Sequence, residues 1–300
     1  MLVTGKGGVG KTTLTTSLAR SAAAAKRRVL VAEVVPDTHN PSTLLGYFGH
    51  PRPKGDEPIE MEPGVFGVRI APSIGHRAFL RAALRIRLLV EPAMRSSALT
   101  RFLLAAPTFP EIGVLYQLVT LLREAKAGRF DHVILDLPAT GHAIGLVSLP
   151  KTVLKIVPSG LIGDAIREGL DAFTDPVRCW AIVATIPEPM PVTEANDLIT
   201  ALYQCGIRIG AAVLNRLPPA YFTEAERRSL DEVLEHERLL GARELARLDR
   251  ASRARADFHK MVPSGIPRFE IPVLDAPTEL ELVRSFAEAL KTAGATGESA

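Results

Sequence analysis

The chain alternates between short apolar runs and longer segments with helical periodicity. Each run is almost continuously hydrophobic, which is typical of strands that a parallel sheet buries on both faces. The runs are residues 29–32, 65–70, 132–136, 180–185, 209–214 and 269–273. Because helical patterns separate most of them, we predict an α/β fold in which a doubly wound, mostly parallel sheet forms one domain over residues 1–300.

One region departs from this alternation. Residues 71–129 contain no convincing strand, whereas 79–90 and 111–125 show helical periodicity, so we predict a helical insert subdomain at about residues 72–129. Its leucines are candidates for a groove that accepts an apolar helix of a protein client. They are Leu80, Leu84, Leu88, Leu103, Leu104 and Leu115. The alternative is an ordinary amphipathic helix with a solvated basic face. Residues 292–300 are small and polar, which predicts a disordered tail.

The composition fits this fold class and argues for no charged partner. Of the 300 residues, 47% are hydrophobic and only 5% are aromatic, which suits helices packed on a sheet better than an all-β barrel. The net charge of +3 is too small to indicate nucleic acid, so we expect no nucleic-acid partner.

The sequence shows neither a secretion signal nor a membrane segment. No charged leader precedes an apolar run and no 18 consecutive residues are apolar, so we expect a cytoplasmic protein without a transmembrane segment. Cys179 and Cys205 are far apart and form no C-x-x-C pair. The apolar segment at the start of the chain is shorter than the usual strand of about five residues, which leaves open whether the N-terminus is complete.

From Gly5 to Thr12 the chain matches the phosphate-loop pattern G-x-x-x-x-G-K-[ST]. An apolar segment precedes the loop and a helical pattern follows it, which is the context that this motif requires. The backbone N–H groups of such a loop surround phosphate oxygens at the positive end of the following helix. We therefore predict a nucleoside triphosphatase. The predicted nucleotide-binding residues are Gly7, Gly8, Val9, Gly10, Lys11, Thr12 and Thr13.

Two of these residues have more specific expected roles. The Lys11 ammonium is expected to contact the β and γ phosphates, and the Thr12 hydroxyl is expected to ligate Mg²⁺. The apolar run at residues 132–136 ends in Asp136, which is where a second metal-holding group of such enzymes belongs. Thr12 and Asp136 are therefore the predicted metal residues.

Two further motifs resemble a known family. Lys6, a second lysine within the loop, resembles the mark of the deviant phosphate-loop ATPases. The sequence D-x-P-x-T-G-H at 136–142, followed by Leu149 and Pro150, is similar to switch II of the ArsA-type family. That family comprises arsenite-pump ATPases and targeting factors for tail-anchored membrane proteins. The resemblance covers nearly the whole chain.

The resemblance implies a cofactor and an assembly. It implies that ATP with Mg²⁺ holds two subunits face to face, with Lys6 reaching the partner's nucleotide and stabilising the charge on its phosphates. The partner is expected to be a second copy of the chain or a paralogue. By the same resemblance, Asn215 binds the adenine base, and Pro272 and Val273 pack on its ring.

The segment that corresponds to switch I of the family departs from the family pattern. The family carries D-P-A-H after its second strand, whereas this chain has V-V-P-D-T-H at residues 34–39. Alignment on Pro36 places Val35 at the aspartate position, and alignment on His39 places Pro36 there. Our hypothesis is that Asp37 takes the catalytic role at reduced efficiency, since a positioned base contributes about 10²- to 10⁴-fold. Hydrolysis is then expected to be slow.

Two ligands of the family are not expected here. The targeting members carry a zinc-binding C-x-x-C that this chain lacks after Asn215, so no zinc is expected. Two distant cysteines also cannot reproduce a soft thiolate site for arsenite. The expected output is mechanical: ATP closes a dimer, hydrolysis opens it, and the insert handles a protein client, with membrane-protein targeting as one such task.

Three other functions stay open at this point. One is a positioning ATPase like ParA or MinD, the second is an ATP-dependent ligase of small molecules, and the third is an assembly protein locked by nucleotide with poor hydrolysis. The sequence identifies neither the client nor the partner subunit.

Overall fold

In the part of the chain that the structure describes, eight strands form one sheet, in the order β3-β4-β2-β5-β1-β6-β7-β8. The computed structural model describes residues 1–36, 40–53, 55–83, 109–155, 158–236, 241–276, 278 and 281–289. All neighbouring strands are parallel except β3 and β4, which are antiparallel. The strands are β1 (Leu2–Gly5), β2 (Val29–Val34), β3 (Ile59–Glu62), β4 (Val65–Ile70), β5 (His132–Asp136), β6 (Trp180–Thr185), β7 (Arg208–Leu217) and β8 (Arg268–Pro272). The predicted mostly parallel α/β fold is confirmed.

Helices cover both faces of the sheet. Within the described ranges they are α1 (Lys11–Ala24), α2 (Thr43–Gly46), α3 (Pro72–Ala83), α4 (Phe109–Lys126), α5 (Thr140–Leu154), α6 (Gly160–Thr174), α7 (Pro189–Cys205), α8 (Glu224–His236), α9 (Ala242–Met261) and α10 (281–289). None of the helices in this part of the chain is both long and apolar enough to cross a membrane.

The two faces of β2 show why its sequence is almost continuously apolar. Leu30 and Ala32 pack into the core formed with α4, α5, α6, α7 and α9, whereas Val29 and Val31 pack into the core on the α1 side. All four side chains are fully buried. Successive side chains of a strand point to opposite faces, so a strand with helices on both sides needs apolar residues at nearly every position.

For β4, β5 and β6 the bounds predicted from the sequence agree with those in the structure. The sequence patterns did not indicate β3, because it is a short edge strand whose residues I-E-M-E are at most half-buried. It is joined to β4 by a turn at Pro63 and Gly64, and Gly64 has a φ of 82°.

The predicted insert between β4 and β5 contains α3 and α4. These helices approach closely, since a Cβ on Gly75 would collide with the carbonyl oxygen of Gly113. Leu115 is only 1% exposed and belongs to the main core, so it lines no open groove. The side chains of the other five leucines proposed for the groove lie outside the described residues, as does the predicted tail at 292–300.

Candidate functional site

The loop between β1 and α1 lies at the carboxyl edge of the sheet. β1 is central, with β5 on one side and β6 on the other. Gly10 precedes α1 with a φ of 96°, and a Cβ there would collide with the amide nitrogen of Asn215. A Cβ on Gly5 would collide with the carbonyl oxygen of Ala184 on β6. The first and last glycines of the motif are therefore required, because residues of β6 and β7 approach them closely.

Lys11 folds back over the loop. Its ammonium Nζ donates a hydrogen bond to the backbone carbonyl of Lys6 at 3.0 Å. Partial burial lowers the pKa of Lys11, and the negative charge of Asp136 opposes this effect. The side chain thus places its positive charge at the mouth of the loop, where a phosphate group would bind it more strongly than the Lys6 carbonyl does.

Thr12 and Asp136 come together at the start of α1. The Thr12 hydroxyl donates to Asp136 Oδ2 at 2.8 Å. Asp136 is only 5% exposed, and its Oδ1 has no hydrogen-bond partner among the described residues. Burial raises the pKa of Asp136 to about 7, repulsion from Glu33 adds to the shift, and Thr12 and Lys11 oppose it.

These residues fit a magnesium ion. A buried carboxylate oxygen without a partner costs free energy unless a cation or donor satisfies it. Within the described ranges no three His, Cys, Asp or Glu side chains form a metal cluster. Mg²⁺ is commonly held by one or two protein oxygens together with nucleotide phosphates and water, so Thr12 and Asp136 are sufficient protein partners.

Lys6 makes an ion pair within its own chain. Its Nζ lies 2.8 Å from Glu194 Oε1 on α7. The two side chains are 37% and 34% exposed, so the pair is accessible from the carboxyl edge of the sheet. The motif gave no indication of this partner, which lies 188 residues away in sequence.

Asn215 is buried beside the loop. Its Nδ2 donates to the carbonyl of Val9 at 2.8 Å, and its Oδ1 accepts from the backbone N–H of Arg216 at 2.9 Å. An amide has two N–H donors and two acceptor lone pairs, so one of each remains for another contact. Val273 follows β8 and donates its N–H to the carbonyl of Leu217 at 2.9 Å, and both Pro272 and Val273 are exposed.

Sequence reasoning missed Glu33 and Ser42. Glu33 on β2 is the ladder partner of Asp136, and the Ser42 hydroxyl donates to its Oε2. Burial raises the pKa of Glu33, while the hydrogen bonds from Ser42 and the start of α2 oppose the shift. An acid inside the otherwise apolar run V-L-V-A-E-V was the available signal. Asp37, the predicted catalytic acid, lies outside the described residues.

A family model described as anion-transporting ATPase matches residues 1–159, which contain the loop, Thr12 and Asp136. The chain belongs to this ArsA-type ATPase family. The expected family is thereby confirmed, together with the ATPase class that its description states.

Relatives within this family carry different names. The ATPase BagA of Mycobacterium tuberculosis is 25% identical over 73% of this chain and 65% of its own length. An arsenical pump-driving ATPase of Acidiphilium multivorum is 25% identical over 77% of this chain and 41% of its length. An ATPase ASNA1 homolog of Trypanosoma cruzi is 27% identical over 72% of this chain and 74% of its length. The chain thus spans less than two thirds of the length of BagA.

Proposed function

We propose that this chain binds ATP with Mg²⁺ at the loop between β1 and α1 and hydrolyses it. The observation that carries the proposal is the contact between Thr12 and Asp136. Thr12 binds only Oδ2 of the buried Asp136 carboxylate, so Oδ1, beside the Lys11 ammonium, has no partner among the described residues. In this site Lys11 holds the β and γ phosphates, while Thr12 and Asp136 hold the metal. The bound ion supplies charge neutralisation on the phosphates.

The nucleotide base is proposed to lie against β7 and β8. Asn215 is supported in this role by its buried contact with the loop carbonyl of Val9 and by its remaining donor and acceptor. The exposed Pro272 and Val273 offer an apolar surface at the end of β8.

Lys6 is proposed to act in a dimer. Its partly exposed ammonium at the carboxyl edge is available to a nucleotide held by a second subunit, either another copy or a paralogue. To reach such a nucleotide it must leave Glu194. ATP would then close the dimer, and hydrolysis would open it.

Hydrolysis is proposed to be slow. Val35, which occupies the family's aspartate position in one alignment, is buried and its side chain has no acid group. The hypothesis that Asp37 orients the attacking water remains a prediction from the sequence.

The output proposed for this cycle is the binding and release of a protein partner through the insert that contains α3 and α4. A relative whose name says that it drives an arsenical pump supports an ATPase that works together with another protein. The expectation of a cytoplasmic protein also stays a prediction.

The test is calorimetric titration of magnesium-ATP into the folded chain, with Lys11→Ala as the comparison. We expect heat of binding for the wild type and an affinity weaker by about tenfold or more for the variant, since a charged phosphate contact is lost. The mass in solution is then measured with a non-hydrolysable ATP analogue. An absence of binding by the wild type would refute the proposed function, whereas binding without dimer formation would refute only the role of Lys6.

A further inference from the structure

Three charged residues lie side by side on neighbouring strands near the carboxyl edge. Glu33 on β2 is the ladder partner of Asp136 on β5 and of Arg69 on β4. Ladder partners point to the same face of a sheet, and neighbouring strands are about 4.8 Å apart. The carboxylates of Glu33 and Asp136 are therefore close enough for the charge of one to act strongly on the other.

Glu33 is held in place by the segment that follows β2. The Ser42 hydroxyl donates to its Oε2, and the backbone N–H of Leu44 is 3.4 Å from the same oxygen. Glu33 and Val35 are two residues apart in an extended chain, so they share a face. The acid that is absent at Val35, directly after β2, is therefore present two residues earlier, at Glu33 within β2.

We propose that the Glu33 carboxylate provides the second negative charge of the magnesium site and faces the ion through coordinated water. Mg²⁺ keeps several waters when it binds to proteins, and these waters need acceptors around them. The buried Oδ1 of Asp136, which lacks a partner among the described residues, points to a cation at this place. This inference rests on the proposed function, because the ion arrives with the nucleotide.

A purely structural role makes a different prediction. Glu33 also faces the positive charge of Arg69 and receives the hydrogen bond from Ser42, so it could serve only to fix α2. In that case its loss would lower the stability of the nucleotide-free protein and leave the magnesium requirement unchanged.

The experiment uses Glu33→Gln, which keeps an acceptor for Ser42 but removes the charge. Binding of a non-hydrolysable ATP analogue is measured by calorimetry over a range of Mg²⁺ concentrations and in EDTA. We expect the Mg²⁺ concentration for half-maximal binding to rise on the order of tenfold. Binding in EDTA and the melting temperature of the nucleotide-free protein are expected not to fall.

Glu60→Gln is the matched control, since it removes the same charge from the edge strand β3 and should leave the magnesium requirement unchanged. An unchanged requirement in Glu33→Gln would overturn the proposal. If Glu33→Gln does not fold, Ser42→Ala provides the test. This variant removes the hydrogen bond that holds the Glu33 carboxylate, so it should raise the Mg²⁺ requirement by a smaller factor. An unchanged Mg²⁺ requirement in Ser42→Ala would also overturn the proposal. Failure of the wild type to bind the analogue would instead refute the proposed function.

Discussion

The ammonium of Lys6 lies 2.8 Å from the carboxylate of Glu194 in the same chain. Both side chains are about one third exposed, and ion pairs of this kind contribute at most about 1 kcal/mol. A contact this weak can be exchanged for a phosphate group. Glu194 therefore competes with any second subunit that needs Lys6.

Glu194→Gln is expected to strengthen dimer formation in the presence of a non-hydrolysable ATP analogue. Because the lost pair is worth at most about 1 kcal/mol, the dimer dissociation constant should fall about two- to fivefold. Sedimentation velocity over a range of protein concentrations measures this constant. Asp197→Asn, which removes the same charge from the exposed part of α7, is the control and should change little. A weaker dimer in Glu194→Gln would show that Glu194 supports the assembly instead.

Asp37→Asn is expected to reduce ATP turnover if Asp37 orients the attacking water. The loss should reach about 10²-fold or more, with nucleotide affinity preserved, because a positioned base acts on the chemical step. Steady-state release of phosphate and calorimetric binding are measured on the same preparation. Unchanged turnover would remove Asp37 from the mechanism.

Much of the fold and part of the site could be predicted from the sequence because their signals are local. The buried strands appear as apolar runs, and Lys11 and Thr12 lie within one motif. The pairing of Lys6 with Glu194 could not be predicted, because it depends on where α7 begins relative to the loop. Glu33 was missed for a similar reason: its meaning depends on the register of β2 against β5, which places it beside Asp136.

Gly10→Ala is expected to destabilise the protein by about 1–3 kcal/mol, because Gly10 has a φ of 96° and an added Cβ would collide with the Asn215 amide. Displacement of Asn215 should also weaken nucleotide binding. Gly7→Ala is the matched control, since its Cβ would meet no atom within 4 Å. Urea unfolding of both variants measures the difference. Equal stability of the two variants would show that the close approach of Asn215 to Gly10 does not require a glycine there.

Asp136→Asn is expected to stabilise the nucleotide-free protein at alkaline pH. The pKa of Asp136 is raised from 3.8 to about 7 in the folded state, so the protonated form favours folding. This contribution is fully present below the unfolded-state pKa of 3.8 and is lost as the pH rises through the folded-state pKa of about 7. Between about pH 5 and 8 the wild type should therefore lose about 2 kcal/mol of unfolding free energy relative to the variant.

Urea unfolding of both proteins at about pH 5 and 8, without nucleotide, measures this difference, and subtraction of the variant removes the contributions of other titrating groups. With magnesium-ATP present the order should reverse, because the ion restores a partner to the Asp136 carboxylate and stabilises only the wild type. The contrary result is a difference in stability between the wild type and the variant that is the same at both pH values. That result would show that the Asp136 carboxylate already has sufficient partners in the nucleotide-free protein. The Oδ1 atom of Asp136 would then give no indication of a magnesium ion.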